Sequence, residues 1–131
     1  MKRERIDPGW AWLKKFNISA GEKIGDTIWL SGAVAFDGDG NVVGGDDLYA
    51  QTMKTFENIA EALASAGASM DDVVKINTFL TDLTRYAEYG KARTEVFPSG
   101  VPASTVVGTT ALVRPELLVE IEAIAVIGSG G

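Results

Sequence analysis

The chain predicts an α+β fold in which a mixed β-sheet carries two helices on one face. Three observations predict it. Residues 46–66 and 84–97 space their apolar side chains at helical intervals. Residues 27–36, 73–82, 103–110 and 117–127 are rich in β-branched and aliphatic residues instead. Along the last of these, the odd positions Leu117, Val119, Ile121, Ala123, Ala125 and Ile127 are all apolar, so one side of that strand lies under helices. The expected order is β–β–α–β–α–β–β. A length of 131 residues leaves room for a single domain, 1–131, around one modest core.

Residues 1–15, MKRERIDPGWAWLKK, read as an N-terminal extension. In it, Trp10 and Trp12 cover an apolar edge or form a stacking platform at a cleft mouth. The run TIWLSGAVAF (27–36) has Ser31-Gly32 in its middle, and a glycine inside a strand marks a bulge or a close approach to the backbone. DGDGNVVGG (37–45) reads as a hairpin turn. Its Asp37, Asp39 and Asn41 alternate as in a calcium loop, but Val42 and Leu48 stand where that loop needs glycine and glutamate. The first helix has Leu48, Thr52, Phe56, Ile59 and Leu63 on one stripe, Asp46 or Asp47 as its cap, and Gly67 just past its end. The second, 84–97, turns Tyr86, Tyr89, Val96 and Phe97 inward, and Pro98 and Pro102 bound the link to 103–110. GSGG (128–131) reads as a flexible tail.

Composition excludes several functions. A net charge of −6 and a pI near 4.6 repel phosphate backbones, and the basic residues Lys2, Arg3, Arg5, Lys14 and Lys15 read as solvated surface, so no nucleic acid is expected. No apolar run reaches the roughly 18 residues of a membrane span. The charged start lacks the apolar core of a signal peptide, and cysteine is absent, which points to the cytoplasm. With no histidine there is neither a Ser-His-Asp triad nor a zinc site of the usual kind, and no metal or cofactor is expected. Proton transfer then falls to Glu, Asp, Lys, Tyr or bound water.

The even positions of 117–127 pose a problem. Leu118, Glu120, Glu122, Ile124 and Val126 form a face too apolar for water and too acidic for a core. A buried carboxylate is costly unless paired, hydrogen-bonded or protonated. Association of subunits across this face, with the carboxylates in a polar cleft, is the simplest resolution.

Four segments, IGDTIWLSG (24–32), ASMDDVVKINTFLTDL (68–83), VPAST (101–105) and LLVEIEAIAV (117–126), resemble the Rid family of reactive intermediate deaminases, also called the YjgF or L-PSP endoribonuclease family. The likeness spans nearly the whole chain from about residue 16. It implies a chorismate-mutase-like fold, a homotrimer, and small-molecule clefts between adjacent subunits. The family's serine–glycine step matches Ser31 and Gly32, and the glutamate that faces ligand and water matches Glu120, the candidate catalytic residue. The arginine that follows the Pro-Ala dipeptide in deaminating members is replaced by Ser104, the usual tyrosine by Ile18, and the usual asparagine by Gly90. Ser104, Thr105, Ile18 and Gly90 complete the candidate substrate-binding set. Losing two charged hydrogen bonds weakens recognition of a small imino acid by roughly 10²- to 10⁴-fold. Arg114, before Pro115, is a nearby cation in sequence.

These readings lead to hydrolytic deamination of an imine, enamine or related C=N metabolite other than the usual small imino acids. The alternative is a trimer that binds a small molecule without chemistry. Ribonuclease activity, suggested by the family's older name, fits least with an acidic chain that has no histidine and no basic aromatic strip.

Overall fold

A computed structural model describes residues 2–131. It contains β1 (Arg3–Arg5), α1 (Ala11–Lys15), β2 (Gly21–Ile24), β3 (Thr27–Leu30), α2 (Leu48–Ser65), β4 (Val73–Leu80), α3 (Tyr86–Val96), β5 (Ala103–Gly108) and β6 (Val119–Val126). The sheet runs β1-β2-β3-β6-β4-β5. Only β4 and β5 are parallel, with α3 as their crossover, and the other neighbours are antiparallel.

The α+β class and the mixed sheet with α2 and α3 on one face agree with the expectation, while the strand order needs correcting at the front. The strand 27–30 pairs with β2 upstream of it; downstream there is only the single bridge Phe36↔Val42. β1, α1 and β2 were not expected. The strand sequences RER and GEKI lie at or next to a sheet edge and show no alternation of apolar and polar residues, so nothing in them signals a strand. In the turn after Phe36, the Asp37 carboxylate accepts from the backbone N–H groups of Asp39 (3.0 Å) and Asn41 (2.9 Å). Those bonds hold its pKa below the ordinary value, the Asn41 amide most of all.

β6 lies in the middle of the sheet and obeys the predicted alternation. Val119, Ile121, Ala123 and Ala125 are buried, whereas Glu120, Glu122, Ile124 and Val126 are half-exposed. α2 covers the buried side with Leu48, Phe56, Ile59 and Leu63. Asp47 caps the helix by accepting from the Ala50 N–H (3.0 Å), and Gly67 beyond its end has φ +86°, a left-handed conformation that suits glycine.

The predicted stripe omitted two buried amides of α2. Gln51 donates to the carbonyls of Gly45 (2.8 Å) and Glu116 (2.9 Å) and accepts from the Leu118 N–H (2.9 Å). Asn58 donates to the carbonyls of Val34 (2.9 Å) and Phe36 (2.8 Å). Each satisfies irregular backbone that no strand reaches.

Both ends of the chain are tied to the body. α1 contributes Trp12 and Leu13 to a small second core with Ala20, Val34, Phe36 and Leu117. At the far end, Gly130 N–H donates to the Asp72 carboxylate (3.2 Å), so 128–131, expected as a free tail, has contacts of its own.

Asn58→Ala should lower unfolding free energy by about 2–4 kcal/mol, because two buried carbonyls lose their donor. Urea denaturation checks this, and the denaturant slope should stay unchanged.

Candidate functional site

The Ser31-Gly32 step carries both features expected of a strand glycine. The pairs Trp29↔Ile124 and Ala33↔Ile121 enclose Leu30, Ser31 and Gly32 on one side and only Glu122 and Ala123 on the other. One extra residue is therefore bulged out at this point. A Cβ on Gly32 would lie 2.5 Å from the Glu120 carboxylate Oε2. The glycine is the floor on which that side chain rests.

Glu120 accepts no hydrogen bond from any described residue. Its carboxyl is pushed above the ordinary value of 4.5, chiefly by burial and secondly by the charge of Glu122. Glu122 is settled differently: Asn77, opposite it on β4, donates to its carboxylate (3.0 Å). Two carboxylates one repeat apart thus have separate surroundings, one unpaired and one tied across strands. Asn77 was absent from the sequence-level site, and the register Asn77↔Glu122 that finds it becomes visible only once β4 and β6 are paired.

Ile18, Ser31 and Gly32 come together in one hollow with Trp10, Trp12 and Asn58. Ile18 is placed there by the end of α1, where Asn17 takes φ +54° and the Ile18 N–H returns to the Leu13 carbonyl (2.9 Å). The Ser31 hydroxyl is committed to the Ser19 carbonyl (2.7 Å), which leaves its lone pairs for an incoming donor. Trp10 and Trp12 both line this hollow. Their rings stack at 5.4 Å, Trp12 is buried edge-on against Phe36, and Trp10 donates to Glu61 (2.8 Å) at the hollow's rim.

The other candidates lie elsewhere in the chain. β5 is two strands removed from β6, roughly 10 Å across the sheet. Ser104 and Thr105 also point to opposite faces. Ser104 pairs with buried Ile76 on the helix side, while Thr105 pairs with Asn77 on the carboxylate side and meets Lys75 Nζ at 3.3 Å. Gly90 lies mid-way along α3 beside Tyr86. Ser104, Thr105 and Gly90 therefore do not join Glu120 within one chain. Arg114 pairs with Glu116 (3.4 Å) in the loop before β6. Among the described residues no group of carboxylates could hold a metal, and no helix is long and apolar enough to cross a membrane.

The outer side of the sheet is open and sets apolar side chains among polar ones. Trp29 on β3 is 49% exposed and stands beside Ile124, and Val107 on β5 is exposed next to Phe79. The sequence-level site omitted Trp29.

Comparison with known proteins gives concordant results. The family model described as Endoribonuclease L-PSP matches residues 14–127. A RutC family protein of Pyrococcus abyssi is 38% identical over 104 residues, 79% of this chain and 80% of that one. Among solved structures, Rv2704 of Mycobacterium tuberculosis, a YjgF-family member, superposes with a TM-score of 0.83 at 32% identity, over 96% of this chain and all of the other. RidA from an Antarctic Psychrobacter gives a TM-score of 0.78 at 35% identity, over 83% of this chain and 87% of that chain.

Gly32→Ala should fold with a stability loss of under about 1 kcal/mol, since the obstacle is the far end of a flexible side chain. Glu120 must then swing off its floor. A ¹³C titration of its carboxyl should show the pKa returning toward the ordinary value as burial is lost; an unmoved titration would contradict the geometry.

Proposed function

The chain belongs to the endoribonuclease L-PSP family, the YjgF or Rid proteins, and on that premise we propose that it hydrolyses an imine, enamine or related C=N metabolite in clefts between the subunits of a homotrimer. The observation that carries the reading is Glu120: a half-buried carboxylate with no donor among the described residues, seated on Gly32, which itself lines the hollow. A group in that state is short of a hydrogen bond, and a water molecule supplies one.

The chemistry follows from this placement. Water held by Glu120 adds to the carbon of C=N while the carboxylate takes its proton. The carboxyl returns that proton to nitrogen to complete the carbinolamine; it then takes the hydroxyl proton and passes it to the same nitrogen as the C–N bond breaks, leaving a carbonyl compound and free amine or ammonia. Its raised pKa suits both halves of the cycle, because base and acid must each be accessible near working pH. The Gly32 N–H, which donates to no other described residue, lies beside the carboxylate and is available to a substrate oxygen or nitrogen. Such proton transfer contributes roughly 10²- to 10⁴-fold in rate.

Assembly is supported by the division of the candidate residues. Ile18, Ser31, Gly32 and Glu120 sit on the β3–β6 part of the chain, and Ser104 and Gly90 sit on the β5–α3 flank. A cleft that uses both sets needs two copies. The exposed Trp29 and Val107 on the open face favour burial against a neighbour. Binding without chemistry is the second reading. It is favoured by Ser104 in place of an arginine and by the commitment of the Ser31 hydroxyl to Ser19. Ribonuclease activity has less support: the family's description as Endoribonuclease L-PSP names it, but the acidic chain presents no basic strip to hold RNA.

Sedimentation at micromolar concentration should give a trimer, and Trp29→Lys should shift it to monomer. A well-folded monomer of the unsubstituted chain would defeat the argument from the open face.

Glu120→Gln should leave assembly intact and lower hydrolysis by roughly 10²-fold or more. The rate of the unsubstituted protein should fall as pH drops through a value above 4.5, because the base must be ionised and its pKa is raised. The stability effect has the opposite sense. A carboxyl whose folded pKa is raised favours the folded state when protonated, and that advantage disappears as pH rises through the window above 4.5. Glu120→Gln should therefore melt no lower than the parent at neutral pH. Glu122→Gln should leave turnover largely intact and cost about 1–2 kcal/mol through the Asn77 bond.

A further inference from the structure

Trp10 stands between two hollows of very different size. On one side is the hollow that Ile18, Ser31 and Gly32 line, which leaves about 20 Å³, room for a single water molecule. On the other is an open groove of about 580 Å³, lined by residues drawn from 5–11 and 13–20. Trp10, Ile18, Ser19 and Ala20 line both. A space that admits one water takes no larger group unless part of this shared wall moves.

Three of the four wall residues are held by their backbone or by a buried bond. The Ile18 N–H donates to the Leu13 carbonyl (2.9 Å), the Ser19 hydroxyl to the Gly21 carbonyl (3.0 Å), and the Ala20 carbonyl accepts from the Ser31 N–H (3.0 Å). The indole of Trp10 has one polar tie, from Nε1–H to the Glu61 carboxylate (2.8 Å), and Glu61 is an exposed residue of α2. The ring packs against both apolar cores and belongs to the buried set of neither. Before it, Gly9 takes φ +87° in open space. After it the backbone is fixed, since the Ala11 N–H donates to the Gly38 carbonyl (3.1 Å) and the Leu13 N–H to the Trp10 carbonyl (3.2 Å). With the main chain so anchored, the ring moves by turning about its own Cα–Cβ bond, and the groove beside it is empty.

The space that the ring would vacate has a definite chemistry. Trp10 lies on Trp12 with centroids 5.4 Å apart and planes 13° from parallel, and Trp12 is buried edge-on against Phe36 at 5.3 Å. Removing Trp10 uncovers one face of a fixed indole and leaves a slot as thick as a flat ring. The polar side chains of the hollow have spent their donors. Asn58 Nδ2 gives both hydrogens to the carbonyls of Val34 and Phe36, and the hydroxyls of Ser19 and Ser31 go to the carbonyls of Gly21 and Ser19. Leu30, Ile59 and Ala62 supply apolar wall. Nothing there receives a charge.

We propose that Trp10 is a specificity-determining gate, latched by Glu61, and that it swings into the groove to admit an uncharged aromatic ring of the ligand, which takes its place on Trp12. The inference rests on the proposed hydrolysis for what the ring belongs to. Ser31 and Gly32 line the hollow and Gly32 carries Glu120, so the ring is a substituent of the C=N compound that Glu120 attacks. The substrate class narrows to aryl-substituted imines and enamines. The latch sets the cost of opening, so a ligand too small to displace Trp10 gains nothing from the hollow.

The test uses benzyl alcohol against cyclohexylmethanol, its saturated counterpart, which has the same hydroxyl and no flat ring. The chain has three tryptophans, and in ¹⁵N-labelled protein the Nε1–H signals of Trp10 and Trp29 are identified by their loss in Trp10→Phe and Trp29→Phe, leaving Trp12 as the third. Benzyl alcohol should move the Trp10 signal upfield as the bond to Glu61 is lost, while Trp29, on the open sheet face, stays in place. Read at the Trp12 signal, Glu61→Ala and Trp10→Phe should each bind benzyl alcohol roughly 2- to 10-fold more tightly than the parent, because each removes the hydrogen bond of the closed form. The double variant should bind no more tightly than either single one. An unmoved Trp10 signal at roughly 10 mM benzyl alcohol, an equal response to cyclohexylmethanol, or unchanged affinity in Glu61→Ala would overturn the proposal. If Trp10→Phe fails to fold, Glu61→Ala, at an exposed position, decides. Neither readout requires turnover. A protein that admits benzyl alcohol past Trp10 yet hydrolyses nothing refutes the Glu120 chemistry and leaves the gate standing; hydrolysis beside a silent Trp10 does the reverse.

Discussion

Burying one side of β6 beneath α2 creates a demand on its other side that the single chain does not meet. Successive strand residues point to opposite faces, so Val119, Ile121, Ala123 and Ala125 cannot enter the core without sending Glu120, Glu122, Ile124 and Val126 outward. The position of β6 between β3 and β4 then forces both carboxylates into the middle of the open face rather than to a wet edge. Glu122 meets that burden through Asn77. Among the described residues Glu120 has no such donor, and it lies over Gly32, which has no side chain. The bulge at Ser31-Gly32 breaks the strand there and leaves the Gly32 amide outside the ladder.

Sheet order decides what can belong to the site. β3 and β6 are neighbours, which brings Ser31, Gly32 and Glu120 together, and the end of α1 adds Ile18 and the tryptophans. β5 lies at the far edge, and α3 crosses above it, so Ser104 and Gly90 form a second group facing away from the first. The first group carries a carboxylate that has no donor among the described residues.

The buried amides of α2 show how the irregular parts are held. The segments 31–47 and 109–118 lie outside the strands, and residues 31–34 line the hollow. Gln51 and Asn58 hydrogen-bond their backbone from inside the core, at positions that a hydrophobic stripe would fill with aliphatic residues. Five hydrogen bonds of two buried side chains thus fix loops that the sheet does not reach.

The sequence by itself determined the elements with a strong period: α2, β4, α3 and β6, the cap at Asp47, the turn at Gly67 and the two-faced character of 117–127. These are local consequences of side-chain spacing, and the segments LLVEIEAIAV, VPAST and IGDTIWLSG carried the family as well. The tertiary structure alone decided the rest. β1 and β2 are polar strands at and next to the sheet edge, and their identity rests on pairing. Ser104 and Thr105 are adjacent in sequence but face opposite sides of β5, a difference set by register with β4. Asn77 acquires its role from Glu122, the residue across from it. Spacing along a chain specifies which face a residue takes within its own element. Which charge stands opposite is a property of pairs distant in sequence, and it exists only after the strands have found their order.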